Sequence, residues 1–301
     1  MKLYLDYKNI WECNNPSGKL KNIKKIIKQY VSNITYDKVG NMYIGDFTQS
    51  KPCLVAHLDS VHSHVGKIKV QDDCISSKNG IGGDDKCGII ACLEIRKYCD
   101  VNVLFTVDEE IGGIGASHCD FDKLKNVMYF IEIDRKGSSD LITDLLFSKS
   151  VTKEFMSEIS DFMKEFQFKE TSGLYTDLCD ILPVMGVCGI NLSAGYYNPH
   201  TKKEYVILSE LQNTINFVIT ICSTVRERFE LPEQKLFEYE DKDTYYPEEW
   251  FLNDLSCIDS IEELMDYVYS VHPEDKKVLG LLEKAYQLGL EEKEMYVGLD
   301  F

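Results

Sequence analysis

Four short stretches of this chain are apolar almost without interruption: CLVAH (53–57), VNVLFTV (101–107), NVMYFIEI (126–133) and GVCGINL (186–192). A strand with one wet face alternates apolar and polar residues. Continuous runs mark strands covered on both faces. Segments of helical period lie between them. KLKNIKKIIKQY (19–30) sets Leu20, Ile23, Ile27 and Tyr30 on one face, with lysines opposite and Ser17 as N-cap. Asp84 to Tyr98 carries Ile89, Ile90 and Leu93, 150–166 is amphipathic, and 209–230 reads as a long helix capped by Ser209. ITYDKVGNMYIGDF (34–47) alternates about Val39-Gly40-Asn41 and predicts a hairpin. Strands interleaved with helices predict an α/β three-layer sandwich, with a mixed, mostly parallel sheet between helices.

The net charge of −17 argues against a nucleic-acid partner and against an acidic membrane surface, both of which recruit Lys and Arg. No apolar run of about 18 residues occurs and the start carries Asp6, so neither a membrane span nor a signal peptide is expected. The 11 cysteines are odd in number and scattered through apolar runs, as with Cys53 and Cys188. They read as small buried hydrophobes of a reducing compartment, and the expected location is the cytoplasm. Charge is uneven: residues 233–301 hold 19 acidic and 6 basic residues, a net of 6 − 19 = −13. A boundary is therefore expected at Pro232, giving a main domain at 1–232 and an acidic extension at 233–301, partly helical at 260–269 and 276–288.

Five polar clusters follow or flank these elements: AHLDS with His57 and Asp59, GGDDKCG with Asp84 and Asp85, VDEEIGG with Glu109 and Glu110, EIDRKG with Asp134, and NPHTKKEY with His200. Three come directly after an apolar strand, at the edge where open α/β sheets build sites. Each alone has a plain reading as a polar loop, a helix start or a solvated pair. Together they offer two imidazoles and several carboxylates, a donor set that Zn²⁺, Co²⁺ or Mn²⁺ accepts. A carboxylate can bridge two such cations about 3.5–4 Å apart. If the strand continues, Glu109 and Glu110 point opposite ways, leaving one free as a base. Asp59, two residues from His57, is placed to orient that ring.

The order and flanks of HLDSV, GIGGDDKCGI, VDEEIGGIGA, EID and HTKKEYV, with the lead-in PSGKLKNIKKII…DKVGNMYI, resemble the co-catalytic di-zinc exopeptidases. That clan includes peptidase T, glutamyl aminopeptidases and the small bacterial aminopeptidases, and the resemblance covers about residues 1–230. It implies that Asp84 bridges two metals, with zinc the expected ion, and that His57 and Asp134 complete one site and Glu110 and His200 the other. It further implies that Glu109 is the general base activating a metal-bridging water, that Asp59 orients His57, and that the Asp84-Asp85 peptide is cis.

Peptidase T-like members carry an inserted lid and dimerisation domain. Only 65 residues separate Asp134 from His200, so none is expected here; one helix, a loop and a strand are expected to fill that span. The implied activity is hydrolysis of small peptides by an aminopeptidase or dipeptidase. An amidohydrolase removing N-acyl groups from amino acids, and a metal-containing binding module without catalysis, are the alternatives. Weaker candidates are His62 and His64 as ligands, Asp177, Tyr196, Tyr197 and Asn198 as pocket residues, and Arg135 as a carboxylate contact. His118 and His272 read as structural or solvated.

Overall fold

The structure, a computed structural model, describes residues 1–145 and 148–231. The expected boundary at Pro232, the 233–301 extension and His272 lie outside the described residues. The main sheet runs, in spatial order, β1 (Ile34–Tyr36), β2 (Met42–Ile44), β6 (Asn102–Thr106), β3 (Lys51–His57), β7 (Val127–Arg135), β11 (Gly189–Ser193), β8 (Asp140–Leu145) and β10 (Lys169–Gly173), with β9 (Ser148–Lys149) on β8. Pairing is parallel for β6–β3–β7–β11 and for β8–β10, and antiparallel elsewhere. A small antiparallel sheet joins β12 (Tyr196–Tyr197), β13 (Tyr205–Ile207), β5 (Cys74–Ser77) and β4 (Ile68–Gln71).

The four apolar runs form central strands, and their pleat divides the core in two. Leu54 and Ala56 of β3, Val103 and Phe105 of β6, and Tyr129, Ile131 and Ile133 of β7 face one cluster. Cys53 and Val55, Leu104, and Val127 and Phe130 face the other. The first cluster is covered by α4 (Gly83–Ile95), α7 (Lys153–Phe166) and α9 (Leu208–Thr224), together with α1 (Lys2–Asp6), α2 (Lys8–Trp11) and α3 (Lys21–Ile27). The second lies beneath α5 (Ile114–Ser117), α6 (Phe121–Leu124) and α8 (Asp177–Met185). This is the expected three-layer α/β sandwich. Among the described residues no helix is long and apolar enough to cross a membrane.

Several local expectations change. The 135–199 span holds β8, β9, α7, β10, α8, β11 and β12 rather than one helix, a loop and a strand; β8, β10 and β11 extend the main sheet, so among the described residues no inserted lid domain is built. Ser17 does not cap α3, which begins after Leu20; its hydroxyl donates to Asp59 Oδ2 at 2.7 Å. Ser209 does not cap α9 with its side chain. Its amide instead donates to the carboxylate of Asp73.

Candidate metal centre

Strand parity builds the floor of the site. Odd residues of β3 and even residues of β6 and β7 share the second face, so His57, Thr106, Glu132 and Asp134 emerge on one side near the strand C-termini. His57 pairs in register with Thr106, and Val55 with Glu132. The first residues of α8 sit over this floor: Thr176 donates from its hydroxyl to Glu132, and Thr106 donates to Asp177.

Asp84 enters from the start of α4. Helical periodicity alone would begin that helix at Asp84, but Asp84 (φ −79°, ψ 105°) and Asp85 (φ −115°, ψ 42°) are non-helical and joined by a cis peptide, as the resemblance implied. Asp85 is fully buried, and its carboxylate accepts from the amides of His57 at 3.2 Å and Gly88 at 2.9 Å, locking β3 to α4.

The carboxylate of Asp84 then lies between two imidazoles. Its Oδ1 is 2.9 Å from His57 Nε2, and its Oδ2 is 3.3 Å from His200 Nε2. His57 Nε2 is also 3.6 Å from Asp134 Oδ2 and 4.0 Å from Glu109 Oε2, while His200 Nε2 is 3.0 Å from Glu110 Oε2. Two triads result, His57–Asp84–Asp134 and Asp84–Glu110–His200, and within each the donor atoms lie within 4.8 Å of one another. Glu109 belongs to neither.

Glu109 and Glu110 diverge for a reason other than strand alternation. β6 stops at Thr106, and Asp108 turns the chain with φ +55°. Asp59 grips the backbone just past this turn: its Oδ1 accepts from the Glu109 amide at 3.0 Å and its Oδ2 from the Glu110 amide at 3.2 Å. Asp59 Oδ1 also stands 3.5 Å from His57 Nδ1. One buried carboxylate thus accepts from both glutamate amides and stands beside the ring.

The electrostatics arise from crowding. Burial, then Asp84, raise Asp134 to about 7, with His57 opposing. Burial raises Asp177 to about 6, against His57 and Thr106. Glu109 is pushed well up by burial and by Asp134, Asp177 and Glu110, with His57 pulling down. Burial and Asp84 raise Glu110, while His200 lowers it. Burial would depress both histidines, but their carboxylates overcome it: His57 rises well above its ordinary value, and His200 rises to about 12. Asp59 is drawn below the usual carboxylate range by His57 and Ser17 despite burial.

Two imidazoles against this many buried carboxylates leave an excess of negative charge that divalent cations would neutralise. The donors are nitrogen and oxygen, suited to a borderline or hard cation. The residues therefore fit a metal centre.

Several further residues of the site carry a weak sequence signal or none. Glu204 is fully buried and accepts from the Gly82 amide at 2.6 Å and the Asp84 amide at 3.1 Å; its other contact is His62 Nε2 at 2.9 Å. His62 therefore braces the Asp84 loop through Glu204 and joins neither triad. Glu204 stands four residues after His200 in a polar stretch, and no local signal marks it. Glu132 carries one: it stands two residues before Asp134 in an apolar run, on the same pleat face. Asn191 holds the Asp134 backbone from both sides, at 2.9 and 3.1 Å. The Tyr196 hydroxyl donates to Asp134 Oδ1 at 3.1 Å. Asp177 is fully buried at the start of α8.

Other candidates lie aside. His64 contacts Asn14, and Tyr197 donates to Glu210 while stacking on Tyr205. Asn198 takes a left-handed turn (φ 53°) two residues before His200. Arg135 pairs with Asp140 at 3.3 Å, and His118 packs against Ser117 on the surface.

No family model matches the chain, and no curated protein matches its sequence. Solved structures do share the fold. An aminopeptidase from the archaeon Desulfurococcus kamchatkensis is 14% identical with a TM-score of 0.60, over 75% of this chain and 96% of that one. A tripeptidase from Staphylococcus aureus is 14% identical, with a TM-score of 0.59 over 73% and 96%. The aminopeptidase PepT from Bacillus cereus is 14% identical, with a TM-score of 0.58 over 74% and 97%.

Proposed function

We propose that the chain is a metal-dependent exopeptidase, an aminopeptidase or dipeptidase of the co-catalytic kind, acting on small peptides in the cytoplasm. The observation that carries this reading is the carboxylate of Asp84 with one oxygen toward each histidine. Two divalent cations, zinc by preference and cobalt or manganese as substitutes, would be held by His57, Asp84 and Asp134 and by Asp84, Glu110 and His200. Once bound they supply Lewis acidity, bringing the pKa of water toward about 7 and polarising the scissile carbonyl.

The remaining work falls to side chains. Glu109 is excluded from both triads, and its side chain is 15% exposed against 4% for Glu110. It takes the proton of the attacking water and returns it to the departing amine. Asp59 keeps Glu109, Glu110 and the His57 ring in one arrangement. His200, with 41% of its side chain exposed, marks the side from which a peptide can approach. The fold shared with aminopeptidases and a tripeptidase supports the same reading.

The test combines metal analysis, chelation and one substitution. Two metal equivalents per chain and loss of hydrolysis on chelation are expected. Glu109→Gln should keep both metals while turnover falls by about 10²- to 10⁴-fold. Full turnover in that variant removes the base assignment. Hydrolysis of N-acylated amino acids but not of free-amine peptides transfers the protein to the amidohydrolases. Metal binding without hydrolysis of either leaves a binding module.

A further inference from the structure

In a chain carrying −17, lysines gather along α3. Lys21, Lys24, Lys25 and Lys28 line an open cleft of about 630 Å³ together with Tyr36 and Asp108. That volume is within the range of about 300–1,000 Å³ usual for small-ligand sites. Four ammonium groups and one carboxylate give these walls 4 − 1 = +3. Lys24 is committed to the fold, its Nζ donating to the Gly40 carbonyl at 2.7 Å, and Lys28 lies 5.2 Å from the centre of the Tyr36 ring. Lys21 and Lys25 are exposed and make no hydrogen bond or ion pair with their side chains among the described residues.

Lysines on a helix are commonly a solvated face. Two observations distinguish this group. The lysines border a concavity shared with an aromatic ring, and the same concavity is lined by Val107 and Asp108, the segment that continues into Glu109 and Glu110. The rim is tied to the loop that carries the two glutamates at two adjacent residues: the Gly18 amide donates to Asp108 Oδ1 at 2.7 Å, and Ser17 donates at 2.7 Å to Asp59, the carboxylate that accepts from the Glu109 and Glu110 amides.

We propose that this cleft receives a carboxylate of the substrate, so that the enzyme favours acidic peptides; the inference rests on the peptidase reading above. The carboxylate comes from an acidic side chain or from the peptide C-terminus, and ammonium groups serve either as compact point charges. Repulsion among the lysines is relieved when the anion arrives, and a neutral isostere gains nothing from them.

Peptide pairs on the metal-loaded full chain test this: Ala-Glu-Ala amide against Ala-Gln-Ala amide for a side-chain carboxylate, and Ala-Ala-Ala acid against its amide for the C-terminus. At least one acid-to-neutral ratio of kcat/KM should exceed one, and the responding pair names the source. In the Lys21→Ala/Lys25→Ala double variant that ratio should fall by about 2- to 30-fold through KM. It should also fall between about 0.05 and about 0.5 M KCl in the wild type. No acid preference in the wild type, or a ratio that survives the double substitution, overturns the proposal. If no peptide is cleaved, the peptidase reading fails separately, and calorimetric titration with the same peptides still decides. Binding of an acidic peptide that depends on Lys21 and Lys25 upholds the cleft, and equal binding of acidic and neutral peptides by both proteins removes it.

Discussion

Asp84 can face two histidines only because its backbone is held from the other side. Glu204 accepts from the amides of Gly82 and Asp84 and contacts His62, so two chain segments converge on one buried carboxylate from a third. In Glu204→Gln one acceptor oxygen becomes a donor facing a donor, and the Asp84 loop shifts. Zinc affinity, measured by calorimetry, should fall by about 10- to 100-fold, the usual cost of losing a group that orients a ligand. Affinity equal to wild type would show that the loop needs no such support. The five residues of the two triads were legible because each stands in a polar cluster at the flank of an apolar element. Glu204 was not, because its partners lie at least 120 residues away in the chain and its burial is tertiary.

At the scale of elements, the interface between α4 and β7 is set by a glycine. A methyl group at Gly88 would stand 2.6 Å from the Ile133 carbonyl oxygen and closer still to the carboxylate of Asp85. Helix propensity alone would make Ala stabilising here by about 1 kcal/mol. The clash with backbone on a neighbouring strand reverses the sign, and Gly88→Ala should destabilise by about 1–3 kcal/mol in urea unfolding. A more stable variant would show that the helix can move away freely. The course of α4 was readable from its apolar residues. Its irregular start was not readable from periodicity, although the resemblance implied the cis peptide there; Asp85 leaves helical geometry and accepts from the His57 amide on another strand. Strand alternation predicts the divergence of Glu109 and Glu110, whereas the Asp108 turn and the grip of Asp59 produce it.

For the whole molecule, the sandwich was legible because uninterrupted apolar runs admit few other homes. The small sheet was not: β4 is half exposed, and β12 is two residues long. The crowded acids also set how the metal-free protein responds to pH. Asp134 at about 7 and Asp177 at about 6 lie above their unfolded values, so the folded state holds extra protons from about pH 4 to about pH 7. His200, raised to about 12, does the same from about pH 6.5 upward. In each window folding takes up protons, so stability falls as pH rises. Asp59 and Asp84, held low, act in the opposite sense only below about pH 4. The melting temperature of the metal-free protein should therefore drop between about pH 5 and about pH 8, above which Lys86, lowered by burial to about 8, acts in the opposite sense. Saturating zinc should flatten that slope, with protons released on binding in calorimetry. A flat profile without metal would contradict the crowding.

Asp84 divides its two oxygens between a histidine early in the chain and one near the end of the described residues. During synthesis, a ribosome-bound fragment that stops short of position 200 owns at most the earlier pocket. On the proposed reading, hydrolytic power waits until His200 has emerged and joined Asp84 and Glu110.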